Sequence, residues 1–130
     1  MGLQSFFLVG IAGAAGAVSR YGVGLLAERS FGGHFAFGTL LVNVLGCLAL
    51  GFLLELDRGT TLVTHPVRML LAVGFLGAFT TFSTFGYETL RYLQEGTSHL
   101  ALLNVSANLV LGLGGVWLGY IFARLALPAG

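Results

Sequence analysis

The residues best suited to chemistry lie in one short run, LGAFTTFSTFG at positions 76–86. The run gathers three phenylalanines, four hydroxyl residues and two glycines inside an otherwise apolar sequence. On a regular helix Phe79, Phe82 and Phe85 recur every three residues and share one face, so the hydroxyl groups occupy the other faces. The run therefore predicts either an aromatic stripe that packs against a neighbour or an aromatic surface that contacts a ligand.

An aromatic surface of this kind could bind a small anion. A phenyl ring has a negative face and a positive edge, so rings presented edge-on attract an anion without any fixed positive charge. Binding must also be weak enough for a conducted ion to leave again. The hydroxyl groups of Ser83 and Thr84, beside Phe82 and Phe85, are suited to replace the water that such an anion loses.

The threonines of the run leave two backbone structures open. The β-branched pair Thr80 and Thr81 weakens a helix, and Gly77 and Gly86 bracket the pair. A break here would free carbonyl oxygens, and four of them from two crossing copies would suit a hard monovalent cation. The alternative is an intact helix whose hydroxyl groups bond to carbonyls one turn earlier.

The composition places this run inside a membrane. Of 130 residues, 56% are hydrophobic and 8% are charged, the mean hydropathy is +0.92, and soluble domains have about 25% charged residues. At roughly 20 residues per crossing the length allows about four spans, which must be helices because an open chain in lipid satisfies its backbone no other way. We therefore expect an all-α integral membrane protein with one four-helix domain over residues 1–130. The net charge of +1 offers no surface for nucleic acid.

Turn signals divide the chain into four predicted helices. Polar, Gly-rich connections separate the apolar stretches, Pro66 is well placed to open the third helix, and Pro128 stops the fourth. The predicted spans are approximately Gln4 to Ala27, Phe37 to Leu56, Val67 to Leu93, and Ser98 to Leu127.

A few polar residues interrupt the spans. Asn43 lies in the second helix, and Asn104 and Asn108 lie four residues apart on one face of the fourth. Amides at membrane depth either bond helices together or line a polar route, and both readings stay open. Glu88 and Arg91, three residues apart, are expected to form a structural ion pair.

The arginines are divided evenly, with three on each side of the membrane, so the positive-inside rule sets no orientation. This balance predicts a chain that inserts both ways up and pairs with its own inverted copy, as inverted repeats do within single-chain transporters. The alternative is that another feature sets the orientation. The arginines are Arg20, Arg29 and Arg91 on one side and Arg58, Arg68 and Arg124 on the other.

The sequence does not indicate an enzyme. His34, His65 and His99 lie in connections or at helix ends, without cysteine or acidic partners at ligand spacing. A dual-topology multidrug exporter would need a carboxylate inside the first helix, where there is none. A non-conducting scaffold subunit remains the rival if the polar residues only pack.

Two stretches carry a family resemblance. GTLLVNVLGCLALGFL (38–53) and GFLGAFTTFSTFGYETLRYLQEG (74–96) closely resemble the Fluc/CrcB family of fluoride channels. The resemblance implies an antiparallel, dual-topology homodimer with a broken third helix and two fluoride pores. It also implies passive fluoride export across the bacterial inner membrane, with no further protein partner.

The resemblance also implies roles for individual residues. The carbonyls of Gly77 and Thr80 are expected to bind a structural sodium ion at the dimer centre. Relatives often offer hydroxyls on the fourth helix where this chain has Gly112 and Val116, so Asn104, Ser106 and Asn108 are expected to supply the polar groups instead, and Asn108 is included in the predicted route. The full predicted fluoride route comprises Arg20 at a vestibule, then Asn43, Phe82, Ser83, Thr84, Phe85 and Asn108.

Overall fold

A computed structural model describes residues 2–127, and within them four helical segments are long and apolar enough to cross a membrane. This confirms the predicted all-α fold with four spans. The third span contains two helices, so five helices are numbered. Their bounds are α1 Leu3–Phe31, α2 Phe37–Gly59, α3 residues 65–79, α4 Phe82–Gln94 and α5 Ser98–Ala126.

The helix bounds agree with the sequence prediction at most ends. α1 continues through residues 28–31, the first part of the stretch that was expected to form a connection, and ends at Phe31, just before Gly32, which adopts a φ of 75°. Only glycine adopts that φ without steric cost, which explains the chain reversal there. Pro66 lies in the first turn of α3, as predicted. The predicted stop at Pro128 lies outside the described residues.

The third span is broken, which confirms one of the two predicted alternatives. Thr80 has ψ of 159°, and Thr81 has φ of −151° and ψ of 120°, so both residues are extended between α3 and α4. Most of α3 is also π-helical, over Met69–Leu76. π-Helical turns are rare in proteins, and those that occur are frequently found at functional sites. The intact-helix alternative is wrong because the backbone leaves helical geometry at these two threonines.

Glycines let the helices approach closely within one chain. A methyl group at Gly51 would overlap the carbonyl of Val116, and one at Gly119 would overlap the carbonyl of Leu48, so α2 and α5 meet nearly backbone to backbone. Gly16 faces the carbonyl of Phe75 in the same way between α1 and α3. Small residues at such contacts are typical of membrane helix packing.

The break also divides the phenylalanines. Phe79 is buried with Val42 and Leu76, and its ring stacks on Phe75 with centroids 5.7 Å apart. Phe82, by contrast, is 82% exposed in the single chain. The expectation that Phe79 shares a face with Phe82 and Phe85 is therefore wrong, because it assumed helical geometry across residues 80 and 81.

Candidate functional site

The broken backbone is held by one side chain from the neighbouring helix. Asn43, in the second turn of α2, accepts the Thr81 N–H at its Oδ1 (2.8 Å) and donates from Nδ2 to the Thr81 carbonyl (3.1 Å). Thr81 is only 7% exposed, so both of its peptide groups need partners that water cannot supply. In an intact helix the same N–H would bond to the Gly77 carbonyl one turn earlier. We call these two hydrogen bonds the Asn43 clamp. Because the clamp takes up the Thr81 N–H, the Gly77 carbonyl does not receive it as it would in an intact helix.

The threonine hydroxyls finish the two helix ends beside the clamp. Thr80 Oγ1 donates to the Leu76 carbonyl (3.0 Å), which also accepts the Thr80 N–H (3.1 Å), and this closes α3. Thr81 is the N-cap of α4, because its Oγ1 accepts the Thr84 N–H (3.2 Å) and donates to Thr84 Oγ1 (3.0 Å). Capping satisfies a donor that the new helix would otherwise leave unpaired in the membrane.

A chain of three amides extends from the clamp to α5 and on to α4. Asn43 Nδ2 donates to Asn108 Oδ1 (3.0 Å), and Asn108 Nδ2 donates to the backbone and side-chain oxygens of Asn104 (2.9 and 3.1 Å). Asn104 Nδ2 donates in turn to Thr89 Oγ1 (3.0 Å). Asn104 is fully buried and bonds helices together, whereas Asn108 is half-buried at the surface of a cleft.

That cleft, of about 320 Å³, opens at the break and contains most of the predicted residues. Phe82 and Phe85 form one wall, with ring centroids 5.3 Å apart and planes inclined by 56°. Amide and hydroxyl groups face it between apolar side chains, and no charged residue lines it. The predicted residues in the cleft are Asn43, Gly77, Thr80, Phe82, Phe85 and Asn108.

The remaining predicted residues lie on the other side of the break. Arg20, on α1, lines a second cavity of about 350 Å³ together with Thr39, Thr84 and Thr81. Thr81 therefore lines both cavities. Ser83 lies outside both cavities, 3.4 Å from Thr81 at the hydroxyl oxygens, and is exposed.

The contacts of Glu88 and Arg91 differ from the sequence prediction. Arg91 pairs with Glu95 (3.7 Å) one turn further on, so the predicted pair with Glu88 is wrong. Glu88 accepts a hydrogen bond at Oε1 from Thr39 Oγ1 of α2 (2.8 Å), and its Oε2 is buried without a partner among the described residues. Thr39 was not predicted as a site residue. The available signal was its position four residues before Asn43, on the same face of α2.

The fold and the site define a small four-span membrane protein whose third span is interrupted by an uncharged polar cluster. Residues 7–120 match the family described as CrcB-like protein, Camphor Resistance (CrcB), and the chain belongs to that family. This confirms the family resemblance carried by residues 38–53 and 74–96.

Relatives that are similar over nearly the whole chain are named as ion channels and not as enzymes. The chain is 46% identical over 123 residues to a protein of Dehalococcoides mccartyi, covering 95% of each chain. It is 42% identical to one of Nitratidesulfovibrio vulgaris, covering 95% of this chain and 99% of the relative. It is 43% identical to one of Geobacter sulfurreducens, covering 94% and 98%. Each of the three is named "Fluoride-specific ion channel FluC".

Removing the clamp should destabilise the protein. In Asn43→Ala the buried N–H and carbonyl of Thr81 lose their partners, which should lower the free energy of unfolding by about 2–3 kcal/mol. Asn108→Ala should cost less, and the double variant should show a coupling energy of about 0.5–1.5 kcal/mol because the two amides bond directly. The measurement is unfolding in mixed micelles with increasing SDS.

The exposed Ser106 on α5 provides the matched control, since Ser106→Ala should change stability by less than about 0.5 kcal/mol. Strict additivity of Asn43→Ala and Asn108→Ala would contradict the direct bond between the two amides.

Proposed function

We propose that this protein is a fluoride-selective channel that mediates passive fluoride export across the bacterial inner membrane. The observation that carries the proposal is the similarity, over nearly the full length, to bacterial proteins named as fluoride-specific ion channels. Hydrogen fluoride enters a cell as a neutral acid and dissociates at cytoplasmic pH. The anion then leaves down its gradient through the channel, so no carboxylate at membrane depth has to carry protons.

The aromatic cleft suits a small anion. The rings of Phe82 and Phe85 line the cleft and are inclined to each other by 56°, and an edge that either ring presents to an ion there carries the positive partial charge that attracts fluoride. The amide groups of Asn43 and Asn108 can replace part of the lost hydration. Because no fixed positive charge lines the cleft, binding stays weak enough for the ion to leave.

The second cavity supplies an approach to the break. Arg20 gives this cavity a positive charge that raises the local concentration of anions. Thr84, with Ser83 exposed next to it, continues the polar surface from Arg20 towards the rings. Ser83 and Thr84 are therefore proposed as hydroxyl donors along the route, with Arg20 at its vestibule.

The break also suits a structural sodium ion. The Gly77 carbonyl does not receive the Thr81 N–H, which bonds to Asn43 instead, and the extended Thr80 turns its own carbonyl out of the helical direction. Among residues 2–127 no group of three His, Cys, Asp or Glu side chains could hold a metal ion, so a cation here depends on backbone oxygens. Carbonyl oxygens suit sodium, which is hard and monovalent.

A single chain supplies only part of each proposed site. Gly77 and Phe82 are exposed at the surface of the chain, and two carbonyls are too few to replace a hydration shell. An inverted second copy would bring four carbonyls together at a two-fold axis and would cover the exposed rings. We therefore propose an antiparallel, dual-topology homodimer with two phenylalanine-lined pores, in accord with the even division of arginines.

The rings can be tested by fluoride efflux from liposomes. Phe82→Ile and Phe85→Ile should each lower efflux at least about tenfold, which corresponds to a barrier higher by ~1.4 kcal/mol. Phe6→Ile is the matched control, because Phe6 lies on α1 with its side chain 74% exposed and away from the cleft. Chloride efflux should stay at background in every sample. If both variants kept the fluoride efflux rate of the wild type, this result would contradict the ring mechanism but not the channel function.

Sodium can be tested through dimer stability. If sodium binds only the assembled dimer, each tenfold rise in its concentration above the dissociation constant should stabilise the dimer by ~1.4 kcal/mol. The dimer fraction is measured in detergent at constant ionic strength, with N-methyl-D-glucamine replacing sodium as the control cation. A dimer fraction that is the same in both cations after exhaustive dialysis would exclude a structural sodium ion.

Dual topology can be tested with one reporter cysteine. Thr61 lies in the exposed connection between α2 and α3, and Thr61→Cys in a Cys47→Ala background gives a chain with a single thiol. A membrane-impermeant maleimide should label about half of these chains in intact spheroplasts, because the arginine balance sets no orientation. Cys47→Ala alone is the unlabelled control. Labelling of all chains, or of none until the membrane is permeabilised, would contradict dual topology.

A further inference from the structure

A groove with charged and apolar walls lies at one rim of the bundle, and Leu50 lines both this groove and the aromatic cleft at the break. It has a volume of about 510 Å³ and lies where α2 ends, α3 begins and α5 approaches its end. Neither the aromatic cleft nor the Arg20 cavity shares its charged residues. The polar side chains that line it are Glu55, Asp57, Arg58, Arg68 and Tyr120.

Two ion pairs orient arginines around this groove. Arg68 Nη1 lies 3.1 Å from Asp57 Oδ2, and Arg124 Nη1 lies 3.5 Å from Glu55 Oε1. A guanidinium group carries five N–H donors, so one contact to a carboxylate leaves most of them available. The side chains of Arg68 and Arg124 are 43% and 62% exposed, whereas that of Glu55 is 9% exposed. Each carboxylate therefore holds its guanidinium group in place, and Arg124 neutralises the buried carboxylate, Glu55.

Arg58 gives the groove its excess charge. It is exposed in the last turn of α2, and no ion pair involving it occurs among residues 2–127. The side chains that line the groove are balanced, with Arg58 and Arg68 against Glu55 and Asp57. Arg124 does not line the groove but pairs with Glu55 from beside it, and with Arg124 counted three guanidinium groups and two carboxylates leave one net positive charge, which suits a monoanion. Arginine is well matched to phosphate because its planar fork can donate two parallel hydrogen bonds.

The floor of the groove distinguishes a lipid from a free anion. Leu50, Leu54 and Val116 line it below the charged groups, on helices that continue into the membrane span. Tyr120 lies between the two zones, and tyrosine is typical of the membrane–water interface because its ring is apolar and its hydroxyl polar. A charged end joined to an apolar trough is complementary to a phospholipid.

We propose that this groove binds an anionic glycerophospholipid. Arg58 and Arg68 donate to the phosphodiester oxygens, and one acyl chain lies along Leu50, Leu54 and Val116. The net positive charge of the groove favours an anionic headgroup over a zwitterionic one. The proposal is independent of fluoride conduction, since Arg58 and Arg68 line neither cavity of the proposed fluoride route; of the apolar floor residues, Leu50 also lines the aromatic cleft.

The test is native mass spectrometry of the full chain in detergent, titrated with phosphatidylglycerol or with phosphatidylcholine of the same acyl chains. Wild type should bind phosphatidylglycerol several-fold more tightly. Arg58→Gln should weaken phosphatidylglycerol binding about fivefold, the loss expected for one interfacial arginine, and should weaken phosphatidylcholine binding less, because the choline ammonium already offsets the phosphate charge that attracts Arg58. Arg29→Gln, an exposed arginine at the end of α1, is the matched control and should behave as wild type. Arg58→Lys should retain an intermediate affinity, because it keeps the charge but loses the fork.

Several results would overturn the proposal. Equal binding of the two lipids, or the same loss in Arg29→Gln as in Arg58→Gln, would show that any surface arginine serves. Displacement of the lipid by glycerol 3-phosphate at an equal concentration would show a site for free phosphates, in which the apolar floor has no role. If Arg58→Gln changed the dimer fraction and not lipid binding, the groove would be a contact with a second copy.

Discussion

The structure depends on satisfying the backbone N–H and carbonyl of one residue, Thr81, inside the hydrocarbon. A helix that stops and restarts at membrane depth exposes donors and acceptors that lipid cannot satisfy, each at a cost of several kcal/mol. Asn43 meets this requirement because a primary amide presents a donor and an acceptor side by side, as a backbone strand does, and bonds to both polar groups of Thr81. Thr81 then caps α4. The exposure of Phe82 and the release of the Gly77 carbonyl both follow from these bonds.

The four spans could be predicted from sequence because they depend on properties that are local and strong. A stretch of about 20 apolar residues in lipid must form a helix whatever surrounds it. The break could not be decided in the same way. The helix propensities of Thr80 and Thr81 are only a weak bias, and the deciding partner, Asn43, lies 38 residues away from Thr81. The sequence therefore located the break and left the choice between two structures to tertiary contacts.

The errors in the predicted site have the same physical origin. Spacing along one helix suggested a Glu88–Arg91 pair and a common face for Phe79 and Phe82, and both inferences ignored what α2 contributes. Thr39 of α2 donates a hydrogen bond to the Glu88 carboxylate. The break turns Phe82 away from Phe79. The π-helical turns of Met69–Leu76 were also not predicted. Gly74, within them, lies so close to Ala12 and Val9 of α1 that a methyl group could not be added, and such a contact has no signature in the local sequence.

The distribution of charge accords with the proposed passage of an anion without a positive site at the centre. The ion pairs of the described chain, Arg68–Asp57, Arg91–Glu95 and Arg124–Glu55, involve residues near the helix ends, where water and headgroups screen them. The break instead contains amides, hydroxyls and aromatic rings, whose partial charges cost far less to bury than an ion does. A guanidinium group at the break would bind fluoride tightly, and its desolvation would have to be offset by a buried carboxylate that repels the same anion. Dipoles avoid both costs. Dipoles attract only when they are held in the right direction, and this is why the amide chain from Asn43 to Asn104 is bonded at every step.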